Sequence, residues 1–115
     1  MIAIPSTIAP ATERRIAIRR QPAMGTVCRL TTNDGGPPAL ALIWNISTTG
    51  ISMLLHEPRE PGTTVAGLLE IMTNGHTMPI AARVVHVKKL ATGDYYIGAT
   101  FPRAISSDEM KPFVA

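Results

Sequence analysis

From Pro22 onward the chain sets short apolar segments between turn residues, and no segment of ordinary helix length carries a helical period. Short runs with period-2 alternation, bounded by Gly, Pro, Asn and Asp, are the pattern of an all-β sandwich or barrel. The first predicted strand runs from Met24 to Thr32, with Met24, Thr26, Cys28 and Leu30 on one face and Val27 and Arg29 on the other. Asp34-Gly35-Gly36-Pro37-Pro38 ends it as a loop. Ala39 to Ile46 (ALALIWNI) is apolar at both parities, which predicts a strand covered on both faces, with Trp44 a barrel residue. Ile51 to His56 follows the turn Ser47-Thr48-Thr49-Gly50. Thr63 to Thr73 and Thr77 to Lys88 flank Asn74-Gly75, a strong hairpin signal because both residues tolerate positive φ. In the last strand, Asp94 to Phe101, the residues Tyr95, Ile97, Ala99 and Phe101 alternate with Tyr96, Gly98 and Thr100.

Six short antiparallel strands leave exposed edges unless the sheet curls, and closure removes those edges. The expected fold is therefore all-β, a small six-stranded antiparallel β-barrel. At most a short C-terminal helical turn accompanies it, since Ser106 and Glu109 have capping-box spacing but Pro112 comes soon after. Residues 1–12 (MIAIPSTIAPAT) hold two prolines and no sustained period, and read as a flexible N-terminal extension. Residues 13–115 form the predicted domain, beginning with an arginine-rich arm over 13–22.

Composition narrows the function. With 45% hydrophobic and 17% charged residues the chain is an ordinary globule rather than a disordered or fibrous one. The net charge of +3 is modest, but Arg14, Arg15, Arg19 and Arg20 cluster with only Glu13 against them, which favours an anionic partner near that end. An aromatic content of 4% argues against a nucleic-acid polymer, because single-strand binding leans on stacked aromatics. The single cysteine fits a reducing compartment, and there is neither a leader pattern nor an apolar run of about 20 residues. A cytoplasmic protein without membrane insertion is expected, and the sequon Asn45-Ile46-Ser47 then goes unused. His56, His76 and His86 lack metal-ligand spacing, and Cys28 on an alternating strand is a core residue rather than a nucleophile. No acid pair or Ser-His-Asp set can be placed, so neither catalysis nor a metal or cofactor is expected.

Two segments carry candidate chemistry: Arg14-Arg15-Ile16-Ala17-Ile18-Arg19-Arg20, and Asn45-Ile46-Ser47-Thr48-Thr49-Gly50. Alone, the first is a solvated basic leader and the second a hairpin loop. Together they resemble the signature of the PilZ family of bacterial β-barrels, an RxxxR arm before the first strand and a later [D/N]xSxxG. Arg15 and Arg19 supply the first motif, and Asn45, Ser47 and Gly50 the second. Tyr95-Tyr96-Ile97-Gly98-Ala99-Thr100-Phe101 fits the family's Y-x-I-G-x-x-F-like final strand, so the resemblance covers about residues 14 to 102.

The resemblance implies a receptor for the second messenger cyclic di-GMP (c-di-GMP), with Arg14, Arg15, Arg19, Asn45, Ser47 and Gly50 as its ligand-binding residues. The chemistry suits the ligand. Each guanine offers O6 and N7 as adjacent acceptors that a guanidinium meets bidentately, and arginine also pairs with phosphate and stacks on a base. Extended, Arg15 and Arg19 point to one side roughly 13 Å apart. The Asn45 amide can donate and accept, the Ser47 hydroxyl can bond phosphate or an exocyclic amine, and Gly50 permits a tight turn and close ligand approach. A receptor of this kind would act in trans on a protein effector by ordering its arm. The rival expectation is a PilZ-like adaptor that binds protein and no nucleotide. The C-terminal tail is shorter than the helix many family members lay against the barrel, which leaves open how one barrel mouth is closed.

Overall fold

The computed structural model describes residues 18–31 and 38–115. The predicted extension 1–12, the arginines Arg14 and Arg15, and most of the loop after the first strand lie outside the described residues. Six strands are described: β1 (Thr26–Leu30), β2 (Ala39–Ile46), β3 (Gly50–Leu55), β4 (Thr64–Ile71), β5 (Thr77–Lys89) and β6 (Tyr95–Thr100). They close into an antiparallel barrel in the order β1-β2-β3-β6-β5-β4, with β4 returning to β1. The all-β barrel expected from the alternation is the fold observed.

Each strand sends one parity inward, as a pleated strand on a closed barrel must. Cys28 and Leu30 of β1, Ile51, Met53 and Leu55 of β3, Val65, Leu69 and Ile71 of β4, Ile80, Ala82 and Val84 of β5, and Ile97 and Ala99 of β6 fill the interior. Burying each of the Leu, Ile, Val and Met side chains among them contributes about 1.5–3 kcal/mol relative to exposure. Cys28 is completely enclosed, and burial pushes its thiol from the ordinary 9.0 up to about 12, so it is a core residue and a poor nucleophile.

Three expectations change. β2 is not covered on both faces: Leu40, Leu42 and Trp44 stand on its outer side, and Trp44 is 56% exposed. A single closed barrel has one dry side, and no second layer covers β2 among the described residues. The first strand is shorter than predicted, and Met24 lies in an exposed turn ahead of it. The β4–β5 hairpin forms around Asn74-Gly75, but its connection is five residues, Met72 to His76, because β4 ends at Ile71 and not at Thr73. Only Gly75 takes positive φ, at 75°, while the Asn74 side-chain oxygen accepts from the His76 amide at 2.9 Å.

The C-terminal segment answers how one barrel end is covered. Ser106 caps a single turn, α1 (Ser107–Met110), through a complete capping box with Glu109, and a 3₁₀ turn (Lys111–Phe113) follows. Met110 and Phe113 are buried against the barrel core. Val114 pairs antiparallel with Pro22, the Ala23 amide donates to the Phe113 carbonyl at 2.9 Å, and the Ala115 amide donates to that of Gln21 at 2.9 Å. No helix of the described residues is long and apolar enough to cross a membrane.

Candidate functional site

The arm meets the barrel at the end of β2. Arg20 pairs antiparallel with Ile46, each amide donating to the other's carbonyl at 2.8 and 3.0 Å, so the arm extends the sheet beyond the point where β1 leaves β2. This register brings Arg19 beside the loop motif. Its Nη1 donates to Oδ1 of Asn45 at 2.9 Å.

Asn45 reaches the outer face through a bulge in β2 between Ile43 and Asn45, where an extra residue offsets the alternation. Its Oδ1 also accepts from the Ser52 hydroxyl at 2.8 Å. Two donors on one oxygen fix the orientation of the amide and leave its Nδ2 without a partner among the described residues. Ser52 is fully buried and was not singled out from the sequence. A polar residue at the parity opposite to Ile51 and Met53 was the available signal.

Ser47 and Gly50 shape the loop. The buried Ser47 hydroxyl accepts from the Thr49 and Gly50 amides, both at 3.2 Å, and the Ser47 amide donates to the Gly50 carbonyl at 2.9 Å. Such local bonding is what makes serine a turn residue. Residues after β6 strap the loop down, with Phe101 and Ile105 amides donating to the Thr49 and Thr48 carbonyls, both at 2.8 Å. Gly50 has no positive φ. A Cβ there would lie 2.6 Å from the Ala99 carbonyl oxygen, so its demand is close packing of β3 on β6 and not turn freedom.

The structure thus joins Arg19 to Asn45 directly and places Ser47 and Gly50 beneath them as a scaffold; Arg14 and Arg15 lie outside the described residues. Neither Arg19 nor Arg20 has a carboxylate partner among the described residues, so both leave positive charge for an anion. Among the described residues no cluster of His, Cys, Asp and Glu could hold a metal ion.

This geometry sits within a recognisable sequence frame: the family profile described as PilZ domain matches residues 13–114. The chain belongs to the PilZ domain family. No curated protein matches the sequence. Among solved structures, this PilZ domain is similar to the PilZ domain with c-di-GMP of YcgR from Escherichia coli, with a TM-score of 0.63 at 13% identity over 85% of each chain. It is also similar to YcgR in complex with c-di-GMP from Escherichia coli, with a TM-score of 0.66 at 14% identity over 85% of this chain and 42% of that one. A third similar structure is the K. pneumonia MrkH-c-di-GMP complex, with a TM-score of 0.63 at 18% identity over 84% of this chain and 47% of that one. The PilZ domain described here therefore spans less than half of these two longer chains. At such identities the likeness is one of fold.

Proposed function

We propose that this PilZ domain is a c-di-GMP receptor, a binding module and not an enzyme, which acts in trans on a protein effector through ordering of its arginine arm. The observation that carries the reading is the Arg19–Asn45 contact, which unites the two motifs at one exposed place on the barrel. There the guanidinium and the amide nitrogen of Asn45 offer donors to phosphate oxygens and to the O6 and N7 of guanine. Arg14 and Arg15 add two more cations just upstream in sequence. Ser47 and Gly50 hold the loop that presents Asn45, and the c-di-GMP named for the similar YcgR and MrkH structures supports the choice of ligand.

The mechanism follows from how the described part of the arm is held. Between Ile18 and Ala23 it is tied by the Arg20–Ile46 pair, by the C-terminal tail and by Arg19 on Asn45. A dianionic ligand bridging Arg15, Arg19 and the loop would fix the arm across the barrel and change the surface a partner meets. Titration calorimetry with c-di-GMP, beside GTP and beside Arg19→Ala, tests the reading. Binding selective over GTP and lost in the variant is expected; a folded protein that ignores c-di-GMP would leave the adaptor as the better description. Protease cleavage in the arm should slow on ligand addition, and equal rates would remove the ordering step.

A further inference from the structure

The outer face of β2 is apolar and open. Leu40, Leu42 and Trp44 stand there at 49%, 55% and 56% exposure. The register extends this face sideways, because Leu42 pairs with the half-buried Leu54 of β3, and Arg29 of β1 lies between Leu40 and the exposed Leu68 of β4. The charge within it is already neutralised. Arg29 Nε donates to Oε1 of Glu70 at 2.7 Å, so the face offers apolar contact without net charge. Contiguous apolar surface of this kind marks a place where something docks.

Its size selects the occupant. Leu40 to Trp44 is about 13 Å along the strand, and the three interstrand spacings from β4 to β3 are about 14 Å, a plan area of about 200 Å². Even doubled for the relief of the side chains, that is about half of the roughly 800 Å² that a standard interface takes from each partner. A second copy therefore gains little here. A short tethered segment needs far less, because a short linker holds it at a millimolar effective concentration.

The chain carries such a segment. Residues 1–12 (MIAIPSTIAPAT) contain no charged side chain, and Ile2, Ile4 and Ile8 share one parity of an extended chain, as Leu40, Leu42 and Trp44 do. Pro5 and Pro10 lack amide hydrogens and are unfit for a paired strand, but docking on the face of a closed barrel needs no ladder. The tether starts in the right place. Arg20 is bonded to Ile46, which lies two residues past Trp44 on β2, about 7 Å along the strand. The eight residues from Arg20 back to Thr12 span up to about 26 Å, enough to reverse course and lay the segment on β2.

We propose that residues 1–12 dock on the outer face of β2, with Ile2, Ile4 and Ile8 against Leu40, Leu42 and Trp44. Ile8 lies nearest Trp44, at the tethered end, and the segment covers the indole. The docking does not depend on nucleotide binding.

Trp44 is the single tryptophan of the chain, so its emission reports on this face alone. Acrylamide quenching of the full chain is compared with that of a full-length variant carrying Ile2→Ser, Ile4→Ser and Ile8→Ser, with circular dichroism beside both. The three positions precede every described strand, so the variant keeps the barrel's own sequence. Because Trp44 is 56% exposed on the bare barrel, wild type is expected to quench about twofold less than the variant, at every protein concentration. Equal quenching in the two proteins would overturn the proposal. Protection of wild type that fades on dilution would overturn it as well, by assigning the face to a second copy.

Discussion

Replacing Gly50 by alanine separates packing from ligand contact at a position where a motif alone suggests the latter. The new Cβ would sit 2.6 Å from the Ala99 carbonyl oxygen, and that oxygen belongs to the backbone of β6, which pairs with β3 along its whole length. Neither side is a flexible side-chain end, so the two strands must part by several tenths of an ångström. Overpacking of this kind costs about 1–3 kcal/mol. Against it, alanine loses less backbone entropy on folding than glycine, which returns roughly 0.4–1 kcal/mol. The net expectation is a loss of about 1–2 kcal/mol, or roughly 5–15 °C in the unfolding midpoint of a domain this size. Thermal unfolding by circular dichroism reads it directly, and c-di-GMP titration well below the midpoint then reports binding by the folded fraction. An unchanged midpoint with collapsed binding would refute the packing argument and make Gly50 a position of close ligand approach.

Further outcomes follow from the same geometry. Arg19→Ala and Asn45→Ala are each expected to weaken c-di-GMP binding by about 1.5–3 kcal/mol, and the double variant by less than the sum, because the residues share a bond; strict additivity in the cycle would deny their coupling. Phe113→Ala should cost about 3–5 kcal/mol in urea unfolding, since the ring is buried against the core from the C-terminal turn; a loss under about 1 kcal/mol would mean that the turn does not close the barrel. The Cys28 thiol ionises more readily in the unfolded chain than in the fold, where burial raises it from 9.0 to about 12. Its contribution to stability is therefore complete below pH 9 and falls as pH rises toward 12, and Cys28→Ala should flatten that alkaline limb; an identical limb in the variant would assign the loss elsewhere.

The barrel was legible because closure gives every strand one dry face, and Ile80, Ala82 and Val84 or Ile97 and Ala99 announce that face by simple alternation. β2 misled for the complementary reason. Leu40, Leu42 and Trp44 are apolar yet face outward, and alternation cannot tell an exposed apolar position from one covered by a second layer. Bulges have no hydrophobic signature, so the outward turn of Asn45 was invisible in sequence. Asn74-Gly75 marked the hairpin correctly, while the loop length depended on which pairs the ladder could still close around it. In the candidate site, residue types and order singled out Arg19, Asn45, Ser47 and Gly50, and the structure brings the first two into contact. Ser52 came only with the β2–β3 register, and the division between Arg19 with Asn45 above and Ser47 with Gly50 beneath only with the hydrogen bonds.

The tail that closes the barrel also holds the arm. Gln21 and Ala23 are bonded to Ala115 and Phe113 on one side of the same short segment whose Arg20 is bonded to Ile46 on the other. Occupancy at Arg19 and detachment of the last residues are then two sides of one thermodynamic cycle, and each must change the other's free energy by the same amount. Ligand that tightens the arm should slow solvent exchange at the amides of Ala23 and Ala115. A protein that captured the tail and peeled it away would, by the same reciprocity, loosen the arm and release the ligand.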